Sequence, residues 1–175
     1  MAFLDESGFS ERPPIRRTWS PKGQTPVIVA PFNWKNLSAI AVLTSDAFGK
    51  RVRLFMRLLP GTIKSAQIKV FIGNLRKHFR KKVILLWDRL PAHRSAVTQR
   101  YIVKQKSWLI TEYLPPYSPE LNPVEYYWAY ISGTNLAGFR AKNLNSVAQQ
   151  IRKVACNVRR HHNLGSAFLK HSGLF

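Results

Sequence analysis

The chain has 175 residues, 28 of them Lys or Arg and only 8 Asp or Glu, for a formal net charge of +20 and a pI near 10.9. That length suits one domain and 45% hydrophobic content suits one substantial core, so neither disorder nor a multidomain array is expected. No apolar run approaches the ~18 residues of a membrane span. Asp5 and Glu6 stand where a signal peptide carries positive charge, and the single Cys156 excludes an intramolecular disulfide. The expectation is a cytoplasmic protein with no membrane contact and a polyanionic partner, nucleic acid first.

In chain order, Ala2, Phe3 and Leu4 form a short strand that ends at Asp5. Three further runs, residues 25–32 (TPVIVAPF), 37–45 (LSAIAVLTS) and 51–59 (RVRLFMRLL), are rich in β-branched or large apolar residues, and three antiparallel strands in sequence is their simplest arrangement. In the last run Arg51 and Arg53 alternate with Val52 and Leu54, which implies one buried and one basic face. Ile68, Phe71, Ile72, Leu75 and Phe79 recur at helical spacing, and that helix ends in the cations Arg76, Lys77, Arg80, Lys81 and Lys82. Those cations either contact DNA or complement the helix dipole.

Residues 83–87 (VILLW) are apolar on both faces, as in a central strand covered by helices, and Asp88 follows at the carboxyl end, where open α/β sheets bind ligands. Ser95 caps a helix through about Lys106, WLIT at 108–111 is another strand, and 113–121 is a proline-punctuated loop. Asn122 caps the next helix with Pro123 at its first position; Val124, Tyr127, Trp128 and Ile131 share a face, with Glu125 just off it. A last helix aligns Leu144, Val147, Ala148, Ile151, Val154, Ala155 and Val158, with Arg152, Lys153, Arg159 and Arg160 outside the stripe. Trp19, Trp34, Trp87 and Trp128 are expected in the core, as is an inert Cys156. The pattern is mixed α/β.

Carboxylates kept in so basic a chain invite explanation. Each has a local one: Asp5 and Glu6 with Ser7 and Gly8 can make a turn, Asp88 can cap the turn after its strand, and Glu125 can close a capping box with Asn122. Jointly, Asp5, Asp88 and Glu125 can converge on one edge of a sheet, where an all-oxygen set holds hard divalent cations against a phosphate. Zinc-type Cys/His spacing and a GxxxxGK loop are missing from the sequence, which disfavours a zinc site and a nucleotide hydrolase. His93 either donates to a phosphate with Arg94 beside it or packs against the sheet.

FLDESGF, WDRLPAHRS and YLPPYSPELNPVEYYW, in this order, resemble the catalytic domain of DDE transposases, most of all the bacterial insertion-sequence relatives of mariner, the IS six-thirty type. The resemblance runs from Phe3 to about Ile151. It implies an RNase H-like fold, a mixed five-stranded sheet flanked by helices, spanning 1–175 as a single catalytic domain. It further implies Mg²⁺- or Mn²⁺-dependent cleavage and joining of DNA, with Asp5, Asp88 and Glu125 as ligands of two ions. Arg89 stands where many relatives have Asn. The family's N-terminal helix-turn-helix region has no counterpart before Asp5, so an upstream-frame helix-turn-helix polypeptide and a homodimer on DNA are the expected partners. The alternatives are a non-catalytic DNA-binding remnant of a transposase and an RNase H-like nuclease without strand transfer.

Overall fold

Alternation along two adjacent strands organises the molecule. In β1 (Ala2–Ser10) and β2 (Asn36–Thr44), Phe3, Phe9, Leu37, Ala39, Ala41 and Leu43 point to one side, while Ala2, Leu4, Ile40 and Val42 point to the other. Both sets are buried, so helices must cover both faces of the sheet. The computed structural model, which describes residues 1–14, 19–27 and 35–175, supplies them. On the first side lie α4 (Pro123–Tyr130), α5 (Leu144–Arg160) and α6 (His162–His171). On the second lie α1 (Ser65–Arg76) and α3 (Ala96–Lys104), with the one-turn α2 (Pro91–Arg94) between β4 and α3.

The sheet has five strands in the order β3-β2-β1-β4-β5, completed by β3 (Arg53–Pro60), β4 (Val83–Trp87) and β5 (Leu109–Tyr113). β1, β2 and β3 form an antiparallel meander, whereas β4 and β5 run parallel to β1. This is the mixed, helix-flanked sheet of the RNase H-like fold. The antiparallel trio is built differently from the expectation. Of the run at 25–32, residues 28–32 lie outside the described residues and 25–27 are irregular; β1 takes the third place. β1 also does not stop at Asp5: β2 pairs with it from Ala2↔Thr44 to Ser10↔Asn36, and that hydrogen-bonded edge carries the strand onward.

Other departures have simple causes. Trp19 is fully exposed, Trp34 lies outside the described residues, and Cys156 is half-buried at the margin of the α5 stripe, whereas Trp87 and Trp128 are core residues as expected and Trp108 joins them. Helix α6, unanticipated, closes the first core with Phe168 and Leu169. Strand β4 is covered unequally: Leu85 is 1% exposed but Ile84, on the opposite side, is 41% exposed. Leu85→Ala should therefore cost about 2–5 kcal/mol in urea unfolding, and Ile84→Ala less than about 1, because only the former leaves a cavity. Equal losses would mean the strand is turned over.

Candidate active site

Strand geometry places the first two acids. β4 pairs with β1 at Ala2↔Leu85 and Phe3↔Leu86. Asp88 directly follows Trp87, the last residue of β4, and Asp5 lies two residues beyond the last paired position of β1, so both acids stand where the two strands stop pairing. Hydrogen-bonded pairing of β1 with β4 ends at Phe3, so the sheet parts where the two carboxylates stand. Asn122 Nδ2 donates to the Leu4 carbonyl there (3.4 Å), fixing the start of α4 against β1.

The third acid arrives on α4. Asn122 caps it by accepting the Val124 N–H (3.2 Å), with Pro123 in the first turn as expected. The Glu125 side chain makes no hydrogen bond among the described residues, so the capping-box alternative is not realised, and Glu125 is left exposed at the helix start. One turn later Trp128 Nε1 donates to Asp5 Oδ2 (2.9 Å). Asp5, Asp88 and Glu125 all line one cavity of about 520 Å³, with Arg89 and the loop from Leu114 to Pro119 on its other walls.

The turn after β4 follows from its sequence. Leu90, preceding Pro91, is extended, and Asp88 Oδ1 accepts its N–H (3.0 Å), the local cap that the sequence suggested. Pro91 then starts α2, which folds His93 back beneath Asp88. His93 Nδ1 lies 2.7 Å from Asp88 Oδ1 and Nε2 lies 3.0 Å from Glu6 Oε1. Its ring is fully buried and stacks on Trp87 at 4.4 Å between centroids. His93 is thus packed against the sheet, with both ring nitrogens engaged by carboxylates. Glu6 is no turn residue; it follows Asp5 in an extended strand, so it faces the other side and meets His93.

These placements set the charges. Burial, with the charges of Glu125, Glu6 and Asp88, pushes the Asp5 carboxyl up to about 8, against the pull of the Trp128 hydrogen bond. Burial and Asp88 also push Glu125 up. For Asp88, burial acts upward, but the hydrogen bonds from His93 and Leu90 and the His93 charge outweigh it and hold the carboxyl below its usual range. Burial disfavours the His93 cation, yet Asp88 and Glu6 together drive it up to about 10, so it is an imidazolium at neutral pH.

The basic residues are scattered. Arg76, Lys77, Arg80, Lys81 and Lys82 are exposed between α1 and the start of β4, the whole strand length, about 17 Å, from Asp88. Arg76 also donates to the Phe79 carbonyl and lies over the Trp108 ring at 5.5 Å. Arg94, Arg152 and Arg160 are exposed, whereas Arg159 Nε is bound to the Leu54 carbonyl at 3.0 Å. Arg89 is the cation that lines the acidic cavity, its guanidinium over the Tyr113 ring at 5.4 Å.

A family model described as DDE superfamily endonuclease matches residues 1–148. The chain belongs to that family. Its fold is similar to solved mariner Mos1 structures: the paired-end complex with Mn (22% identity, TM-score 0.68, 98% of this chain and 51% of that one), the paired-end complex with Mg (18%, 0.67, 98% and 53%), and the Mos1 catalytic domain (18%, 0.58, 99% and 82%). This DDE chain thus spans about half the length of the transposase in the paired-end complexes. A search of curated proteins gives no match. No helix of the described residues is long and apolar enough to cross a membrane.

Two contacts of the site go beyond the sequence expectations: Trp128 is a core residue that also donates to Asp5, and Glu6 meets His93; the i, i+3 interval from Glu125 to Trp128 and the strand alternation of Asp5 and Glu6 are the signals for them. Because the fold holds Asp5 protonated at a pH where the unfolded chain would ionise it, Asp5→Asn should raise stability by about 1–3 kcal/mol at pH 7, roughly 2–4 °C in Tm per kcal/mol. A folded pKa raised above the ordinary carboxylate range means that wild-type stability is lost as pH rises toward about 8. The gap between variant and wild type, measured in chelator, should therefore be small near pH 4 and widen to pH 8; a variant that melts lower across this range would contradict the burial of charge at Asp5.

Proposed function

We propose that this chain is the catalytic domain of a DDE transposase, cutting and joining DNA strands with Asp5, Asp88 and Glu125 as its metal ligands. One observation carries the reading. Asp5 from β1, Asp88 from the end of β4 and Glu125 from α4 line one cavity in a chain of net charge +20. Asp5, Glu6, Asp88 and Glu125 stand there against His93, which binds Glu6 and Asp88, and Arg89 on the cavity wall, an excess of acid that suits added positive charge.

The donor set is all oxygen and acidic, which fits Mg²⁺ or Mn²⁺ rather than zinc. Among the described residues no three His, Cys, Asp or Glu side chains stand close enough to cage an ion by themselves. The fit is that of a hard cation held by one or two carboxylates and completed by water and phosphate oxygens. Such a cation, and a pair of them in the reading favoured here, supplies Lewis acidity and neutralises charge on the phosphate when bound.

The chain's own groups do the rest. Trp128 holds Asp5 Oδ2, leaving Oδ1 without a protein hydrogen bond among the described residues; His93 and Leu90 hold Asp88 Oδ1 and leave Oδ2 for a ligand. His93 acts as a fixed positive brace, not a general base, because its nitrogens are engaged and its charge is locked in. Arg89 brings positive charge to the wall of the cavity, where a phosphate backbone enters. A homodimer on paired element ends, and an upstream-frame helix-turn-helix polypeptide for end recognition, complete the proposed assembly, with residues 1–175 as its single catalytic unit.

Glu125→Gln should abolish Mg²⁺-dependent strand cleavage while leaving stability within about 0.5 kcal/mol of wild type, since the side chain is exposed and caps nothing. Retained cleavage would remove Glu125 from the site. DNA affinity of the same variant should be equal or higher. For the chain itself, log affinity against log salt should fall with a slope of about −0.9 per phosphate neutralised, with little preference between element-end and scrambled duplexes. Strong end-specific binding by this chain alone would place recognition within it and leave the helix-turn-helix partner without a role.

A further inference from the structure

The loop between β5 and α4 carries one residue that the fold does not explain. Tyr117 sits at φ 56, in the left-handed region that a large L side chain rarely occupies. Its side chain is fully exposed, and among the described residues its ring stacks on nothing and its hydroxyl bonds to nothing. Backbone strain without compensating packing weakens a loop. Yet the surrounding chain is rigid: Pro115, Pro116 and Pro119 fix their own φ angles, Ser118 Oγ donates to the Pro116 carbonyl across the tyrosine (3.3 Å), and Leu121 N–H closes onto Ser118 (3.2 Å). Leu114 N–H ties one end to Trp87 (2.8 Å), beside Asp88, and Asn122 ties the other to Leu4, beside Asp5.

The strained ring is therefore held on the wall of the same cavity that contains Asp5, Asp88, Glu125 and Arg89. A rigidly presented aromatic face loses little entropy on contact, and beside a phosphate-binding site the flat partner it fits is a nucleobase. A base can reach such a face only when it is out of the helical stack.

We propose that Tyr117 is a base-stacking subsite, holding an unpaired nucleobase of the strand whose phosphate lies among Asp5, Asp88 and Glu125. This rests on the reading of that cavity as a nucleic-acid strand site, and extends it: the substrate taken is locally unpaired DNA, not uninterrupted duplex. The loop supplies the geometry and the ring supplies the contact. Asparagine tolerates the left-handed backbone, so a Tyr117→Asn variant removes the ring while keeping the turn.

The test compares two probes in Mg²⁺: a fully paired duplex with an internal 2-aminopurine, and the same duplex with the 2-aminopurine in a short unpaired bulge. Wild type should bind the bulged probe about 5- to 150-fold more tightly, the range of one base–aromatic stack, and quench its fluorescence. Tyr117→Phe should keep both effects, and Tyr117→Asn should lose both with an unchanged or higher Tm. Preference and quenching retained in Tyr117→Asn, or lost in Tyr117→Phe, would overturn the subsite. Intact quenching with no Mg²⁺-dependent cleavage of either probe would support the subsite and count against the catalytic reading, so the two fail separately.

Discussion

Placing a carboxylate on the buried face of a central strand is expensive, and much of the molecule is arranged around Asp5. It is 6% exposed, with Phe3 before it on the same side of β1 and α4 packed over it. An acid there needs a donor, and the indole of Trp128 is the one that α4 brings. It also needs an opening, and the parting of β1 from β4 beyond Phe3 creates one. The energetic tension is not relieved within the protein, because Glu6, Asp88 and Glu125 add like charge. A site of this kind trades stability for a local demand for cations, the usual relation between strained active sites and their ligands.

His93 divides that negative charge into two parts. By bonding Asp88 on one ring nitrogen and Glu6 on the other, the imidazolium compensates those two carboxylates and touches neither Asp5 nor Glu125. Stacking on Trp87 and the bond from Gln99 Nε2 to the His93 carbonyl (2.7 Å) keep the ring from turning. The brace is anchored further by Ser95 and Thr98, whose hydroxyls both donate to the Ala92 carbonyl and hold α2 against α3. Orientation of Asp88 is thus set by packing several residues away.

Much of this was legible in the sequence wherever a local rule and burial agree. The Ser95 and Asn122 caps, the VILLW strand and the α5 stripe each match their elements, because period and cap chemistry are short-range signals, whereas the helix expected through Phe79 to the following cations stops at Arg76. The three acids stand in three separate motifs, and the fold brings them to one cavity from β1, the end of β4 and the start of α4. Long-range pairing was less visible. Nothing local says that β1 continues to Ser10; its partner, β2, begins 26 positions after β1 ends, and supplies the edge that extends it. The burial of His93 was not legible either, since a buried brace and a phosphate donor need the same residue at the same turn, and its contact with Glu6 comes from β1, 87 positions away.

The interval from Asn122 to Trp128 has a consequence for how such a chain can vary. Within two helical turns α4 holds a cap that grips Leu4, an acid that lines the cavity and an indole that grips Asp5. Each residue of an α-helix turns the next by about 100°. A single inserted or deleted codon between Glu125 and Trp128 would swing the indole away from Asp5 while Asn122 stayed in place. Substitutions there are graded in effect, but length changes are all-or-none. The reading frame of this short helix is consequently far less free to drift in length than the surface it faces.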